Sequence, residues 1–402
     1  MNQDHSIHSR AEILGFDRCG IARCRPLEER RGLLERWLAQ GRHGGLTYME
    51  RNLDKRIDPA LLVEGARSVV VCAISYNRPP AAGVASRIAS YARGRDYHPV
   101  LKEKLHELLA YIRDLHPGTS GRVFVDTAPI LEKSWAAEAG VGRIGRHSLL
   151  IVPGLGSFVV LGLIVTDAEL EPDPPFLAPD PCGSCRACIE ACPSVRSETT
   201  GRSTLRFVSR AARSRRKRAT KGDLHGWIFG CDICQLACPH NRHAPVSAHT
   251  CFAPAGDIGQ MTETDWLQLS GTDFQNRFGD TPLARCGLER IQRRIRQGSQ
   301  KITSKKNLEK TDLSAKDISL QRFFYSYREK YALLEKLTEK SGKNSPIFIR
   351  NYRVKNRPCF QTVSERQSPA SQGRAYSDYR DISRGLSAGQ NISLKQSACR
   401  QN

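Results

Sequence analysis

The chain has 402 residues, of which 39% are hydrophobic and 14 are cysteine, and its formal net charge is +21. This length is enough for two or three domains with a sizeable core. The longest apolar run is too short to span a bilayer, and the N-terminal residues lack the apolar segment of a signal peptide. We therefore expect a cytoplasmic protein with no membrane partner, whose thiols bind metal rather than form disulfides.

The positive charge is unevenly distributed. Residues 291–402 carry 24 Lys or Arg against 9 Asp or Glu, and residues 195–225 carry 10 against 2. The rest of the chain is therefore nearly neutral. A basic protein often binds nucleic acid, but here the bulk charge alone does not identify a partner.

Residues 1–174 predict a domain of mixed helices and strands. Apolar periodicity and turn residues define each element. The predicted elements are a buried strand Ser68–Ser75, an amphipathic helix Pro99–Leu115, a short strand Arg122–Asp126, a helix Ile130–Ala139, and two paired strands, Ser148–Val152 and Ser157–Thr166.

The remaining chain divides by composition. Glu171–Pro181 holds five prolines, which predicts a stiff linker. We expect a cysteine-rich domain over residues 175–256 and closing helices over 257–290. Residues 291–402 form a basic tail with one periodic stretch, Gln321–Lys340, and its composition predicts disorder.

Two cysteine motifs indicate iron–sulfur clusters. The first is C-x2-C-x2-C-x3-C-P and the second is C-x2-C-x3-C-P, which is the spacing of bacterial two-cluster ferredoxins. In such runs the last cysteine of a motif reaches the other cluster. The predicted ligands are therefore Cys182, Cys185, Cys188 and Cys238 for the first 4Fe–4S cluster, and Cys192, Cys231 and Cys234 for the second. The alternative is structural zinc, which favours two separated C-x2-C pairs.

The second cluster lacks one ligand in this prediction. Two 4Fe–4S clusters need eight ligands, and the motifs supply seven. The stretch between Cys192 and Cys231, where the eighth is expected, contains no cysteine. Cys251 is the nearest substitute in sequence.

Three further sequence patterns each have more than one interpretation. Asp126 follows a predicted strand, where it is either a general acid or the cap of the next helix. Arg56 and the donor-rich run Tyr91–His98 are either site residues or solvated surface. Gly140–Gly145 matches G-x-G-x-x-G, but a helix enters it and a strand leaves, so we do not expect a dinucleotide site.

Taken together, these segments resemble the epoxyqueuosine reductase family, cobalamin and iron–sulfur enzymes that complete queuosine in the tRNA anticodon. The match runs from about Ala11 to Arg290. It includes DKRIDPALLVEGARSVVV, YARGRDYHPVLKEKL, FVDTAPILEKSWAAEAGVGRIGRHSLLIVPGLGS, CGSCRACIEACP, IFGCDICQLACPHN and FGDTPLARCG.

The resemblance implies a fold, cofactors and partners. The fold would be α+β, with a nitroreductase-like cobalamin-binding domain over 1–174 followed by a ferredoxin-like domain with two 4Fe–4S clusters. Asp126 would be the proton donor. The residues implied around the cobalamin are Arg56, Asp126, Lys133 and His147, with Ser148 and Asp232 as further contacts. The implied partners are a tRNA substrate and a low-potential electron donor, and nothing demands more than a monomer.

The chain departs from the family at residues 195–225, where a cysteine-bearing segment is replaced by a basic one, and in the tail. A local reading-frame error and a genuine basic loop that binds tRNA phosphates are both open explanations. Two other functions remain as alternatives: a non-catalytic or degenerate iron–sulfur electron-transfer protein, and a corrinoid enzyme similar to reductive dehalogenases.

Overall fold

The structure is a computed structural model, and it describes residues 3–43, 46–79, 81–176, 180–192 and 226–306. All of these residues belong to one compact unit. The basic segment 195–225 and the predicted stretch Gln321–Lys340 lie outside the described residues.

A four-stranded antiparallel sheet forms the centre of the N-terminal region. Its strand order is β1-β2-β6-β3, and a separate two-stranded ladder joins β4 and β5. The strands are β1 Arg18–Arg23, β2 Ser68–Ser75, β3 Gly121–Phe124, β4 Arg143–Ile144, β5 Leu150–Ile151 and β6 Val159–Thr166. The predicted strand Ser68–Ser75 is confirmed with the same bounds.

Both faces of this sheet are buried, because helices cover each side. Along β2, Val70 and Ile74 point into one core and Val69 and Val71 into the other, as the two-residue period of a strand requires. Every residue of β2 is buried. The continuous apolar run in the sequence is thus explained by helices on both sides of the sheet.

Ten helices of the described residues surround the sheet and continue beyond it. They are α1 Gln3–Ile13, α2 Glu28–Ala39, α3 Leu53–Ile57, α4 Tyr97–Leu115, α5 Glu132–Glu138, α6 Ala187–Ala191, α7 Ile233–Leu236, α8 Glu263–Gln268, α9 Gly271–Phe278 and α10 Leu288–Lys306. None of the described helices combines the length and apolar character needed to cross a membrane.

Helix α4 confirms the prediction at Pro99–Leu115 and begins two residues earlier. The side chain of Asp96 caps it by accepting a hydrogen bond from the backbone N–H of His98. Leu101, Leu105 and Ile112 are fully buried on its inner face. Gly162 of β6 lies directly beneath Leu105, so the helix packs close to the sheet.

The predicted pairing of Ser148–Val152 with Ser157–Thr166 is wrong. Strand β5 pairs with β4, whereas β6 pairs with β2 and β3. Only a single bridge joins Val152 and Gly156 across the turn. The physical reason is that β6 is apolar on both sides, and a central position in the larger sheet buries both sides.

A third core joins distant segments of the chain. Val84, Ile88 and Ala92 pack with Phe229 and with side chains of α8, α9 and α10. Ile88 also forms a parallel bridge with Phe229. The helices that close the described region therefore pack against the segment that leads into α4, which places their residues near the start of that helix.

Candidate active site and cluster loops

Asp126 lies in a turn directly after β3. Its φ of 54° is in the left-handed region, which non-glycine residues adopt rarely. The predicted strand Arg122–Asp126 therefore ends at Phe124, and the backbone turns the Asp126 side chain outward, where 56% of it is exposed. The hydroxyl of Tyr97 donates to Asp126 Oδ2 at 3.1 Å.

Glu132, the first residue of α5, holds the same turn from the other side. The backbone N–H of Asp126 donates to Glu132 Oε1 at 2.5 Å. Burial, together with the nearby Asp126 charge, raises the pKa of Glu132 to about 8. Glu132 therefore retains a proton at neutral pH to a degree that is unusual for a carboxyl group.

His98 lies between Asp126 and a second carboxylate. Its Nδ1 is 2.8 Å from Asp96 Oδ1, and its Nε2 is 3.6 Å from Asp126 Oδ2. Arg285, from the segment between α9 and α10, is 2.9 Å from both oxygens of Asp96. Burial opposes protonation of His98, but Asp126 and Asp96 outweigh it and raise the His98 pKa. We call Asp96, Tyr97, His98, Asp126, Glu132 and Arg285 the Asp126 cluster.

Lys133, His147 and Ser148 form a second polar group. Lys133 Nζ donates to the backbone oxygen of Ser148, whose φ of 63° is also left-handed. His147 Nδ1 accepts from the backbone N–H of Leu149 at 3.2 Å, so its proton lies on Nε2. Burial, together with the charges of Lys133 and His240, lowers the pKa of His147 to about 4. His147 is therefore neutral at physiological pH.

Arg56 is buried at the end of α3. Its Nη2 donates to the backbone oxygen of Tyr48 at 2.9 Å, and burial lowers its pKa. Its Nε is buried, and so is Nε2 of His147, and neither has a hydrogen-bond acceptor among the described residues. Such donors are costly to leave unpaired inside a protein, and they are available to a group that accepts hydrogen bonds.

Four of the motif cysteines are electrostatic neighbours. Burial, together with the neighbouring thiols of Cys238, Cys182 and Cys185, raises the pKa of Cys188 to about 11. The backbone N–H of Arg146 lies 3.3 Å from Cys182 Sγ. This group therefore lies directly beside the turn that holds His147 and Ser148.

The other three motif cysteines form a second group. Burial raises the pKa of Cys234, and the thiols of Cys231 and Cys192 raise it further. Asp232, beside them, is buried, accepts from the backbone N–H of Ser90 at 2.7 Å, and has a pKa raised by burial. Within the described residues, no three His, Cys, Asp or Glu side chains converge on a single point suited to one metal ion.

Buried hydrogen bonds join the second cysteine loop to the sheet. Asn241 Oδ1 accepts from the backbone N–H of Ser157 at 2.6 Å, and its Nδ2 donates to Ser157 Oγ at 2.9 Å and to the backbone oxygen of Gln235 at 2.7 Å. Asn77 Nδ2 donates to the backbone oxygen of Pro245 at 2.9 Å. The loop is therefore held against the end of the sheet by satisfied polar groups.

The predicted site residues other than the cysteines thus fall into four places: Asp126 in its turn, Lys133 with His147 and Ser148, Arg56 with its hydrogen bond to Tyr48, and Asp232 beside the second cysteine group. Within Tyr91–His98, the solvated-surface alternative is wrong for Arg93 and His98, because both are buried. Sequence reasoning missed Glu132 and Arg285. The segment FGDTPLARCG pointed to the region of Arg285 but not to its contact with Asp96.

Cys251 lies in a short helical turn, Thr250–Phe252, and packs against the core on one face of the sheet. Its backbone oxygen accepts from the N–H of Arg95 at 3.0 Å. Its role as the eighth ligand stays a prediction.

Comparison with known proteins gives two family matches. Residues 56–127 match the family described as "Epoxyqueuosine reductase QueG, DUF1730". Residues 181–241 match the "4Fe-4S double cluster binding domain". The first range contains Arg56 and Asp126, and the second contains all seven motif cysteines.

This chain aligns with similar proteins over most of their length. The epoxyqueuosine reductase of Leadbetterella byssophila is 38% identical over 293 residues, which is 72% of this chain and 96% of the relative. That of Cellulophaga algicola is 36% identical over 73% of this chain and 97% of the relative. A crystal structure of an epoxyqueuosine reductase with an epoxyqueuosine-modified tRNA-Tyr stem loop has a TM-score of 0.64 and 26% identity, covering 73% of this chain and 80% of that one. The chain therefore belongs to the epoxyqueuosine reductase family.

Proposed function

We propose that this chain reduces epoxyqueuosine in a tRNA anticodon to queuosine, with two 4Fe–4S clusters as electron carriers, a cobalamin as cofactor and Asp126 as proton donor. The observation that carries the proposal is the meeting of Asp126, Tyr97 and His98 in a chain 38% identical to an epoxyqueuosine reductase. Cobalamin-dependent chemistry on a tRNA base also requires that the base leaves its stack.

The reaction has a simple balance. Converting an epoxide to an alkene breaks two C–O bonds, consumes two electrons and two protons, and releases the oxygen as water. A bound cobalamin supplies a strong nucleophile or electron donor for the C–O cleavage. The protein must therefore bind the cofactor, deliver electrons at low potential and supply the protons.

The chemistry of the buried donors fits a corrinoid. Its rim carries amide and phosphate oxygens that accept hydrogen bonds, and Arg56 Nε and His147 Nε2 are buried donors in need of acceptors. His147 is neutral, so it donates from Nε2 without adding charge. Lys133 is part of the same group through Ser148. We assign these four residues to cofactor binding, and Asp232 beside the second cysteine group as a further contact.

The two cysteine groups fit the interleaved ligand sets. Cys188 has Cys182, Cys185 and Cys238 as neighbours, and Cys234 has Cys192 and Cys231. The N–H of Arg146 directed at Cys182 Sγ supplies the kind of amide contact that stabilises a reduced cluster. Because His147 follows Arg146 directly, a cofactor held by His147 would lie close to the first cysteine group, from which it would receive electrons.

Asp126 is suited to protonate the epoxide oxygen. Its side chain projects from a left-handed turn into solvent, where a substrate can reach it. Tyr97 and Glu132 hold the carboxylate and the backbone of this turn. A positioned acid of this kind typically accelerates a reaction about 10²- to 10⁴-fold.

The test compares Asp126→Asn with the parent enzyme on tRNA that carries epoxyqueuosine. We expect turnover to fall about 10²- to 10⁴-fold, with iron content, cobalamin retention and tRNA binding unchanged. Asp114→Asn on the exposed side of α4 is the matched control and should leave turnover intact. Near-parental turnover of the Asp126 variant would remove it as the acid, and a parent protein that retains no cobalamin would favour a simple electron carrier.

A further inference from the structure

The chemistry needs a second proton that Asp126 alone does not hold. Each deoxygenation consumes two protons, whereas one carboxyl group carries one. This argument depends on the proposed function of Asp126. The question is therefore which neighbouring group returns a proton to Asp126 after its first transfer.

His98 has the required position. Its side chain is buried, with 11% exposed, and its Nε2 is 3.6 Å from Asp126 Oδ2. That nitrogen is shielded from solvent and has no hydrogen-bond partner among the described residues. A small movement of the exposed Asp126 side chain brings the two atoms within hydrogen-bonding distance. Asp126 is therefore the carboxylate that faces His98 Nε2.

Asp96 and Arg285 fix which nitrogen of His98 exchanges its proton. A carboxylate accepts hydrogen bonds and an imidazole N–H donates, so Nδ1 of His98 donates to Asp96 at 2.8 Å. Arg285 binds Asp96 at 2.9 Å and keeps it ionised. Nδ1 therefore keeps its proton, and Nε2 is the nitrogen that gains and loses one.

The other groups facing His98 are also defined. The ring of Tyr97 packs against the imidazole, with ring centroids 4.2 Å apart, and its hydroxyl donates to Asp126. The positive charge of Arg285 disfavours imidazolium, whereas Asp96 and Asp126 favour it. Glu132 interacts electrostatically with both His98 and Asp126. Three acidic side chains thus face one histidine and one arginine.

We propose that His98 stores the second proton of the reaction and passes it to Asp126, with Asp96 and Arg285 as positioning residues. After Asp126 Oδ2 has given its proton to the substrate oxygen, the Nε2–H bond of the imidazolium breaks and an O–H bond forms on Asp126. His98 becomes neutral with its proton on Nδ1. The two electrons come from the clusters, so this transfer moves only a proton.

The test is the pH dependence of single-turnover rates for the parent and His98→Gln, measured with excess reductant. Below its raised pKa, His98 is protonated and can pass a proton to Asp126. Above this pKa, His98 is neutral and has no proton to pass. We therefore expect the rate of the parent to exceed that of the variant about 10²-fold at low pH, the lower end of general acid–base effects, and the ratio to approach one at high pH. His106→Gln, an exposed histidine of the same helix, is the matched control with a ratio near one throughout.

The outcomes separate the two proposals. If the ratio of the parent rate to the His98→Gln rate is the same at every pH, or is near one at low pH, the proposed role of His98 is overturned. Full activity of Asp126→Asn overturns the proposed acid itself. If His98→Gln loses its clusters, Asp96→Asn takes its place, because Asn also caps helices but removes the charge. The single-turnover rate of this variant should decrease with rising pH at a lower pH than the rate of the parent. If the two rates decrease at the same pH, the proposal is contradicted.

Discussion

The cysteine loops and the Asp126 cluster are built in opposite ways. The seven motif cysteines come from two short segments, each with its spacing fixed locally. The Asp126 cluster draws residues from the start of α4, the turn after β3, the start of α5 and the segment before α10. Cluster-binding loops can be specified by local spacing, whereas the residues of the Asp126 cluster meet only when the third core and the sheet are both formed.

The largest effect should come from a change in the cysteine motifs, whose spacing is local. Cys185→Ala removes a proposed ligand of the first cluster, and we expect turnover to be lost together with about four irons per chain, the content of one cluster. Iron analysis and visible absorbance of anaerobic protein measure this loss.

Cys24→Ala is the matched control, because this cysteine lies outside the motifs. Unchanged iron in the Cys185 variant would contradict the ligand assignment. Parent protein with about eight irons would indicate a substitute for the eighth ligand, and about four would indicate that the second cluster is absent.

A smaller effect should follow from a substitution that displaces the second cysteine loop from the end of the sheet. A Cβ on Gly156 would lie 2.1 Å from Asn241 Oδ1, the atom that holds the second cysteine loop to Ser157. Gly156→Ala should therefore lower the free energy of unfolding and reduce turnover through displaced loop geometry, as thermal unfolding and cluster retention would measure.

Gly118→Ala separates this contact from backbone strain. Gly118 has a φ of 85°, and a Cβ added there would meet no described atom within 4 Å. This variant therefore isolates the left-handed strain of about 1–2 kcal/mol. Equal losses of stability in the two variants would show that the Asn241 contact contributes nothing.

The smallest effect should be a pH-dependent change in stability at Glu132. Its pKa is raised to about 8 in the folded protein, so folding binds a proton between the ordinary carboxyl range and pH 8. The contribution of Glu132 to stability therefore falls as pH rises through this window.

Glu132→Gln keeps an oxygen for the Asp126 N–H and removes the titration. Relative to the parent, the variant should gain stability from pH 5 to pH 8, as midpoints of thermal unfolding at the two pH values would show. Glu138→Gln, at the other end of α5, is the control. A parallel pH dependence of the Glu132 variant and the parent would contradict the raised pKa.

Local patterns predicted the main elements well. The strand Ser68–Ser75 and the helix at Pro99–Leu115 were readable because their apolar spacing matches their structure. The strand after residue 121 ended early because Asp126 turns the chain with a left-handed φ. The pairing of Ser157–Thr166 was wrong because both faces of that strand are apolar, and burial between two strands of the larger sheet outweighs the short connection to its sequence neighbour.

The sequence by itself determined the cysteine spacing, the apolar elements and Asp126 as a candidate acid, since each depends on residues a few positions apart. Only the tertiary structure decided that Asp96, His98 and Arg285 adjoin Asp126, and that Arg146 and His147 adjoin Cys182. The physical reason is that a carboxylate 189 positions away from its arginine has no local signal. Their contact is fixed by the burial of apolar side chains elsewhere in the chain.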